Sequence, residues 1–328
     1  MSQPPAPMPA LGDAELAEIE ALAIQAVEAA GAVVARRFGD ELPFKVKGKD
    51  GGSPVTEVDG ESQRLIAEIV AGRFPDHVFL GEEDGSENGT GDEPVARDFV
   101  WCVDPVDGTT NYLNGHPVYA VSVGVLHRGA PVAAAAWVPW PVSGGHFVIH
   151  ARKGGGAWIG DRRLKVRQPS EDGRPAKNRL ATIPGSLRAM FRVKAPLLGN
   201  LGEPRVTGSI VYELAMVATG VVQYALTGAA HIWDVAGGVL LVTEAGGTAL
   251  TPAGRHGRAG GAWRPLDTFD PDFDTTPGAV ARLRGWRGVV LAGPESVVTF
   301  VGENLEPWRP SVWRRLRGRL FSRRRRSK

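Results

Sequence analysis

Two aspartates, Asp104 and Asp107, directly follow an apolar segment, residues 99–103, whose composition is typical of a buried strand. Pro105 between them cannot donate a backbone hydrogen bond, and Gly108 lets the chain turn and approach a ligand closely. Carboxylates beside the free N–H groups at the start of a helix suit a divalent cation that carries a phosphate. A helix-capping aspartate next to a turn aspartate gives the same string, so the Asp-x-x-Asp-Gly spacing alone leaves both interpretations open.

Two other segments place acids where elements begin or end. Residues 77–80 are typical of a short buried strand, and Glu82 follows it. Residues 232–247 predict a helix with Asp234 near its N-terminus and glycines just past its end. Since ligands collect outside strand ends and at helix N-termini in layered α/β proteins, we expect these acids to converge with Asp104 and Asp107. Four carboxylates would repel one another unless a cation lay among them, which predicts a metal site.

Three separated motifs, taken together, resemble the Mg²⁺-dependent, lithium-sensitive inositol monophosphatase family. They are Gly-Glu-Glu at 81–83, Asp-Pro-Val-Asp-Gly-Thr-Thr-Asn at 104–111, and Trp-Asp-Val-Ala-Gly-Gly at 233–238 with Glu-Ala-Gly-Gly at 244–247. The similarity runs over residues 13–305, with Ser-Pro-Val-Thr-Glu-Val-Asp at 53–59 and Gly-Ser-Ile at 208–210 as further matches. The resemblance implies an α+β fold, the layered α-β-α-β-α sandwich of the inositol monophosphatase and fructose-1,6-bisphosphatase type.

The same resemblance implies a phosphoric monoester hydrolase that uses two or three Mg²⁺ ions. It assigns metal binding to Glu82, Asp104, the carbonyl of Val106, Asp107 and Asp234, and catalysis to Glu82, Asp104 and Thr109, with Glu82 and Thr109 orienting the attacking water. It assigns substrate binding to Asp107, Gly108, Thr109, Thr110, Gly208, Ser209, Ile210, Thr227 and Asp234. Either Lys47 or Lys49 lies near the metals on this view, and the spacing does not decide which.

The substrate is less well defined than the reaction. Thr227 stands seven residues before Asp234, where inositol monophosphatases typically carry a glutamate that bonds the ring hydroxyls. Losing that carboxylate weakens the expectation of inositol specificity. A small phosphorylated polyol is the first expectation, with fructose 1,6-bisphosphate, 3′-phosphoadenosine 5′-phosphate and histidinol phosphate as alternatives. A protein of another class, a non-catalytic metal-binding scaffold, is a further alternative, although such a scaffold need not retain the whole set of acids.

Charge is divided unevenly along the 328 residues. The net charge is +2, but residues 314–328 carry eight Arg, one Lys and no acid, which leaves −7 for the rest. Apolar side chains are interleaved in this tail, so it is expected either to contact anionic lipid or nucleic acid or to be a disordered end. No signal peptide or transmembrane segment is recognised at the sequence level, and the single Cys102 excludes an intrachain disulfide, so a cytoplasmic location is expected. The resemblance implies a homodimer.

The sequence predicts four segments: a disordered N-terminus (1–12), an α+β domain with the metal-binding loops (13–166), an α/β domain completing the active site (167–307) and the basic tail (308–328). Helices are predicted over residues 13–38 and, after a capping box at 56–59, up to Phe74. Strands are predicted from 78 to 166, and mixed elements after a linker at 168–178. Residues 84–98 are expected to form an exposed loop or a flap over the site, and 252–286 an irregular surface segment.

Overall fold

Two β-sheets alternate with three layers of helices in the computed structural model, which describes residues 11–46, 54–84, 97–140, 145–253, 262–274 and 277–307. The helices among these residues are α1 (Asp13–Arg37), α2 (Glu57–Arg73), α3 (Thr109–Leu113), α4 (Leu187–Met190), α5 (Ala195–Leu198), α6 (Ile210–Ala218), α7 (Ile232–Glu244), α8 (Pro277–Arg284) and α9 (Glu295–Glu303). The strands are β1 (Phe44–Val46), β2 (Pro54–Thr56), β3 (Val78–Gly81), β4 (Phe99–Asp107), β5 (Ala120–His127), β6 (Ala130–Pro139), β7 (His146–Arg152), β8 (Gly156–Ile159), β9 (Arg162–Arg163), β10 (Leu180–Thr182), β11 (Phe191–Val193), β12 (Glu203–Arg205), β13 (Ala225–Leu226), β14 (Ala230–His231), β15 (Thr248–Pro252), β16 (Trp263–Pro265), β17 (Arg287–Gly288), β18 (Leu291–Gly293) and β19 (Leu305–Pro307).

The first sheet has seven strands in the order β3-β4-β5-β6-β7-β8-β9. Strands β3 and β4 are parallel, and every later neighbour is antiparallel. Every residue of β4 is buried, because helices cover both faces of this sheet. Such a strand reads as a continuous apolar run, which is how residues 99–103 appear in the sequence.

Helices α1 and α2 cover one face of this sheet. The apolar positions of α1 recur at helical spacing, and all of them are buried, as predicted: Leu16, Ile19, Ala23, Val27, Ala30 and Val34. They share a hydrophobic core with Trp101, Val123 and Trp137 of the sheet. The capping box predicted for α2 is confirmed, since the Thr56 side chain accepts from the helix backbone and Asp59 bonds back to the Thr56 N–H.

Helices α6 and α7 fill the space between the two sheets. The second sheet has six strands in the order β12-β10-β13-β18-β15-β16. Leu214 of α6 and Val239 of α7 lie in one core with Ala134 of the first sheet and Ala292 of the second. Helix α9 covers the outer face of the second sheet, where Val298 packs with Leu291. The order of layers is therefore α-β-α-β-α, as the resemblance implies.

The structure corrects two predictions made from the sequence. The apolar strand does not end at Val103 but continues as β4 to Asp107, because an irregularity in the pairing lets it pass Pro105. Residues 252–286 are not wholly irregular, since they contain β16 and α8. The buried Ala279, Val280 and Leu283 give α8 an apolar stripe, but it is too short to stand out among the surrounding Gly, Arg and Pro.

Other expectations are met or lie outside the described residues. Cys102 is a free, fully buried residue of the core, as predicted. No helix among the described residues is long and apolar enough to cross a bilayer. Lys47, Lys49, most of the 84–98 segment and the tail from 308 onward lie outside the described residues.

Candidate active site

A cavity of about 770 Å³ opens where β4, α6 and α7 meet. All four acids singled out in the sequence contribute to its wall, together with a group of backbone and apolar positions. The lining contains Pro54, Glu82, Asp104, Val106, Asp107, Gly108, Thr109, Thr110, Ile183, Pro184, Gly185, Val206, Gly208, Ser209, Ile210, Glu213, Gly228, Ala229, His231, Trp233, Asp234 and Arg287. A larger cavity of about 890 Å³ shares Pro54 and Thr110 with it, but the described lining of that cavity has no buried carboxylate.

The two aspartates of β4 are placed by an irregularity in that strand. Asp104 is paired with Ser122 and Asp107 with Ala120, so the register shifts between them. Pro105 cannot donate to the ladder, which favours a bulge at this point. The Asp104 carboxylate accepts the Val106 N–H at 3.2 Å, and only 2% of Asp104 and 8% of Asp107 is exposed. The bulge therefore brings two acids three residues apart to one cavity.

Gly108 lets the chain turn from β4 into α3. Its φ of 87° lies in the left-handed region, and a Cβ there would come within 3.0 Å of the Val118 carbonyl oxygen. Thr109 then begins α3, and its hydroxyl is within hydrogen-bond distance of the Val106 carbonyl oxygen (3.0 Å) and the Asp59 carboxylate (3.2 Å). Since that hydroxyl has one proton, it can donate to only one of these oxygens at a time.

The N-terminus of α6 holds Asp107. Ser209 is the N-cap of this helix, and its hydroxyl accepts the Tyr212 N–H at 3.3 Å. The same hydroxyl donates to the Asp107 carboxylate, and the Val211 N–H donates to the same oxygen at 2.7 Å. A helix N-terminus stabilises an adjacent anion through its free N–H groups. Residues 102 positions apart in the sequence are thereby joined at the site.

Asp234 is the third residue of α7 and accepts the His231 backbone N–H at 2.7 Å. This contact is half of the capping box that starts the helix. The His231 ring stacks on Trp233 with centroids 4.4 Å apart, which fixes the entry of the chain into the helix. Asp234 therefore stabilises the helix start as well as lining the cavity.

The buried acids raise one another's pKa values. Burial, followed by the charges of Glu82, Asp107 and Asp234, raises the pKa of Asp104 well above its ordinary value. Burial raises the pKa of Asp107 to about 6, although the hydrogen bonds from Ser209 and Val211 lower it. Burial and the charge of Asp107 raise the pKa of Asp234 well above its ordinary value. A cation within this cluster would remove the repulsion that these shifts reflect.

The donor atoms at the site suit Mg²⁺ in kind. Carboxylates and a backbone carbonyl are hard oxygen ligands, and Mg²⁺ usually keeps several waters while binding only one or two carboxylates. Among the described residues, no three His, Cys, Asp or Glu side chains are grouped tightly enough to form a ready-made metal site. The acids are thus close enough to repel one another but do not meet at a single point.

Thr227, which was predicted to contact substrate, is buried and bonded to the backbone. Thr227 is 1% exposed, and its hydroxyl accepts the Val290 N–H at 2.9 Å and donates to the Gly228 carbonyl at 3.0 Å. It is absent from the described lining of the cavity, where the next residues, Gly228 and Ala229, contribute instead. The backbone already bonds the threonine hydroxyl, and contact between Thr227 and a substrate stays a prediction.

Three charged residues at the site did not emerge from the sequence as site residues. Asp59 is 1% exposed and joins Thr56 to Thr109, and the sequence signalled it only through the capping box and the family match at 53–59. Glu213 lines the cavity from α6, and burial raises its pKa to about 7 even though the Thr207 hydroxyl donates to it at 2.6 Å. Arg287 of β17 also lines the cavity and lowers the pKa of Asp234 through its charge. Neither Glu213 nor Arg287 stands in a recognisable motif.

Comparisons with known proteins identify one family and one fold. The model of the inositol monophosphatase family matches residues 15–276. A protein of Aquifex aeolicus named fructose-1,6-bisphosphatase/inositol-1-monophosphatase is 30% identical over 240 residues, which cover 71% of this chain and 83% of that protein. Nus factor SuhB of Pseudomonas aeruginosa is 33% identical over 243 residues, covering 72% and 86%. The crystal structure of extragenic suppressor protein suhB from Bartonella henselae superimposes with a TM-score of 0.64 at 24% identity, covering 88% of this chain and 98% of that one, which is a likeness of fold.

Proposed function

This chain belongs to the inositol monophosphatase family, and we propose that it is a Mg²⁺-dependent phosphatase of small phosphomonoesters. One observation carries the proposal: buried carboxylates that raise one another's pKa lie in one cavity beside a threonine hydroxyl bonded to a further buried acid. Glu82, Asp104, Asp107, Asp234 and the Val106 carbonyl are proposed to hold two or three Mg²⁺ ions. Bound Mg²⁺ would supply charge neutralisation and an acidified water.

The chain's own groups would orient the water and the ester. Thr109 lies between Asp59 and the Val106 carbonyl, so its hydroxyl can accept a hydrogen bond from a water while donating to one of them. Burial raises the pKa of Asp59, which makes it a better proton acceptor than an exposed aspartate. The amides of Gly108 and Thr109, at the start of α3, are proposed to bind the phosphate, with Thr110 beside them.

We infer that the apolar part of the cavity wall contacts the leaving group. Ile183, Pro184, Val206 and Ala229 present apolar surface there, and Val206 is 65% exposed. No carboxylate occupies the Thr227 position, so an inositol ring would find fewer partners for its hydroxyls than in a site built to bond them. We keep a small phosphorylated polyol as the first candidate and add that its leaving group should tolerate an apolar contact. Fructose 1,6-bisphosphate is the second candidate, because Arg287 offers a cation for another phosphate.

A non-catalytic role is the alternative of another class. One relative is named a Nus factor, and the basic tail, which lies outside the described residues, would suit nucleic acid or anionic lipid. The retention of all four cavity acids together with Thr109 favours the enzyme. A homodimer remains a prediction of the resemblance, and a cytoplasmic location remains a prediction from the sequence.

A phosphate-release screen tests the proposal. The panel holds inositol 1-phosphate, fructose 1,6-bisphosphate, 3′-phosphoadenosine 5′-phosphate, histidinol phosphate and p-nitrophenyl phosphate, each with Mg²⁺ and with excess chelator. We expect Mg²⁺-dependent turnover of at least one ester and its inhibition by lithium. Failure on every ester, or equal turnover in chelator, would count against the function proposed here.

A further inference from the structure

Helix α2 carries a buried polar face next to the acidic cavity. Asp59, Ser62 and Gln63 are 1%, 0% and 7% exposed and recur at the spacing that places side chains on one side of a helix. Each contacts a different segment that supplies the cavity. Asp59 contacts Thr109 (3.2 Å) and Ser62 donates to the Pro105 carbonyl (3.0 Å), between the two aspartates of β4. Gln63 contacts the turn that carries Glu82.

The Gln63 amide bonds this turn with both of its polar atoms. Its oxygen accepts the Glu83 backbone N–H at 2.8 Å, and its nitrogen donates to the Asp84 carboxylate at 2.8 Å. Asp84 in turn accepts the Gly81 N–H at 2.9 Å. The amide thus bonds two successive residues of the turn, Glu83 through its oxygen and Asp84 through its nitrogen.

Strand β4 holds the turn from the opposite side. The Glu82 backbone N–H donates to the Val103 carbonyl at 3.0 Å, which continues the β3–β4 pairing by one residue. Gly81 gives Gln63 its space, since a Cβ at this position would lie 2.2 Å from the Gln63 amide oxygen. The backbone of Glu82 is therefore fixed between a strand and a helix side chain.

We propose that Gln63 is a positioning residue for Glu82, holding the 81–84 turn so that this carboxylate is presented to the cavity before any cation binds. The proposal rests on the proposed function for its catalytic consequence. Gln63 is absent from the described lining of the cavity and bonds residues of the turn, so it acts through the turn. Outer-shell partners of this kind commonly change metal affinity by about 10–100-fold when they are removed.

A second buried glutamine provides a matched control. Gln223 is 5% exposed and clamps another loop in the same manner, accepting the Ala176 N–H at 2.8 Å and donating to the Arg179 carbonyl at 3.0 Å. It lines a separate cavity and is absent from the described lining of the acidic one. Replacement of either glutamine by methionine, a side chain of similar size, removes a buried amide. Only the change at Gln63 should alter the affinity of the site for Mg²⁺.

The experiment compares Gln63→Met with Gln223→Met in the full chain. For Gln63→Met we expect the Mg²⁺ concentration that gives half-maximal activity to rise about tenfold or more. In the metal-free protein, we also expect faster hydrogen exchange at the Glu83 amide, a readout that does not depend on turnover. For Gln223→Met we expect both quantities to stay at the unmodified value, even if the thermal midpoint falls.

A rescue pair separates positioning from general damage. Gln63→Glu places a carboxylate against that of Asp84. It should therefore raise the Mg²⁺ concentration for half-maximal activity about as much as Gln63→Met does. Adding Asp84→Asn supplies an amide donor for the new carboxylate and should restore the Mg²⁺ requirement to within about threefold of the unmodified protein, roughly the context scatter of such contacts.

The outcomes that overturn the proposal are distinct from those that overturn the function. A Gln63→Met variant with unchanged Mg²⁺ dependence and unchanged Glu83 exchange would overturn the positioning role, as would a double variant no better than Gln63→Glu alone. Absence of any turnover in the unmodified protein would overturn the proposed function and the catalytic consequence with it, while Glu83 exchange would still report on the clamp itself.

Discussion

Two of the cavity aspartates also stabilise the start of a helix. Asp107 lines the cavity and also anchors the N-terminus of α6 through Ser209 and Val211. Asp234 lines the cavity and caps α7 through the His231 N–H. Each carboxylate offers several lone pairs, so a bond to the protein leaves others for a ligand. The protein contacts orient these acids in advance, which lowers the cost of ordering them on binding.

The burial of Thr227 leads to a prediction at one residue. Thr227→Glu would put a charged side chain where the hydroxyl now bonds the Val290 N–H and would leave that buried donor unpaired. We expect a loss of about 1–3 kcal/mol in the free energy of unfolding from the donor alone, and no gain in preference for inositol 1-phosphate over an alkyl phosphate. Thr227→Ser keeps the hydroxyl and serves as the control. A stable Thr227→Glu variant with improved preference would contradict this placement of Thr227.

The exposed Val206 leads to a second prediction at residue scale. Replacement of its apolar surface in Val206→Asn should lower kcat/KM for p-nitrophenyl phosphate about three- to tenfold relative to inositol 1-phosphate, because the aryl group loses an apolar contact. Val221→Asn is the matched control, since Val221 is 43% exposed and lines a different cavity. An equal change in the ratio for both variants would show that Val206 does not contact the leaving group.

At the scale of elements, the site depends on how strands and helices begin and end. The sequence predicted α1, the capping box of α2 and the helix that begins near Asp234, because each has a local signal in its spacing or its cap. It did not predict the bulge that carries β4 past Pro105, since pairing with β5 is a property of two distant segments. It also missed α8, where a short apolar stripe lies in a region rich in Gly and Arg.

The N-cap of α6 can be tested as an element. Ser209→Ala removes the cap of Tyr212 and one of the two bonds to Asp107. We expect the free energy of unfolding to fall by about 0.5–2 kcal/mol and the Mg²⁺ requirement for activity to rise, both measured on the purified variant. Ser170→Ala, in an exposed loop, is the control and should change neither. A loss of stability without any change in the Mg²⁺ concentration needed for activity would show that the Ser209 cap does not contribute to metal binding.

At the scale of the whole molecule, the cavity draws on both sheets and the helices between them. Asp104 belongs to the first sheet and Glu82 directly follows its strand β3, whereas Ile183 directly follows strand β10 of the second sheet. Sequence motifs predicted the four acids, because each stands in a recognisable local string. Glu213, Arg287 and the contact between Gln63 and the 81–84 turn were not predictable, since they depend on how distant elements pack. The hydrogen bond from the Val290 N–H to the Thr227 hydroxyl was not predictable for the same reason.

The raised pKa of Asp107 predicts how pH affects the stability of the metal-free molecule. Because the folded pKa is about 6 and the ordinary value is 3.8, protonation stabilises the folded form below pH 4, and this stabilisation is lost as pH rises through 6. The thermal midpoint in chelator should therefore fall from pH 4 to pH 7 more steeply for the unmodified protein than for Asp107→Asn. Added Mg²⁺ should stabilise the unmodified protein more at pH 7 than at pH 5, since it binds the ionised acids.

An exposed acid provides the control of opposite sign. The hydroxyl of Ser170 lowers the pKa of Asp172, so any stability it contributes is present above its ordinary pKa and lost as pH falls. Asp172→Asn should therefore leave the fall between pH 4 and pH 7 in place. If the thermal midpoints of Asp107→Asn and the unmodified protein changed equally between pH 4 and pH 7, a raised pKa of Asp107 would be contradicted.

The most direct measurement is a Mg²⁺ titration of phosphate release from inositol 1-phosphate, or from the best ester of the screen, by the unmodified protein and by Asp104→Asn. We expect the unmodified protein to be inactive in chelator and to gain activity saturably with Mg²⁺. Asp104→Asn should stay folded but lose more than about a hundredfold in activity at every Mg²⁺ concentration, since even outer-shell changes cost about 10–100-fold. Turnover by the unmodified protein in excess chelator, or near-normal turnover by Asp104→Asn, would contradict a Mg²⁺-dependent phosphatase site at these carboxylates.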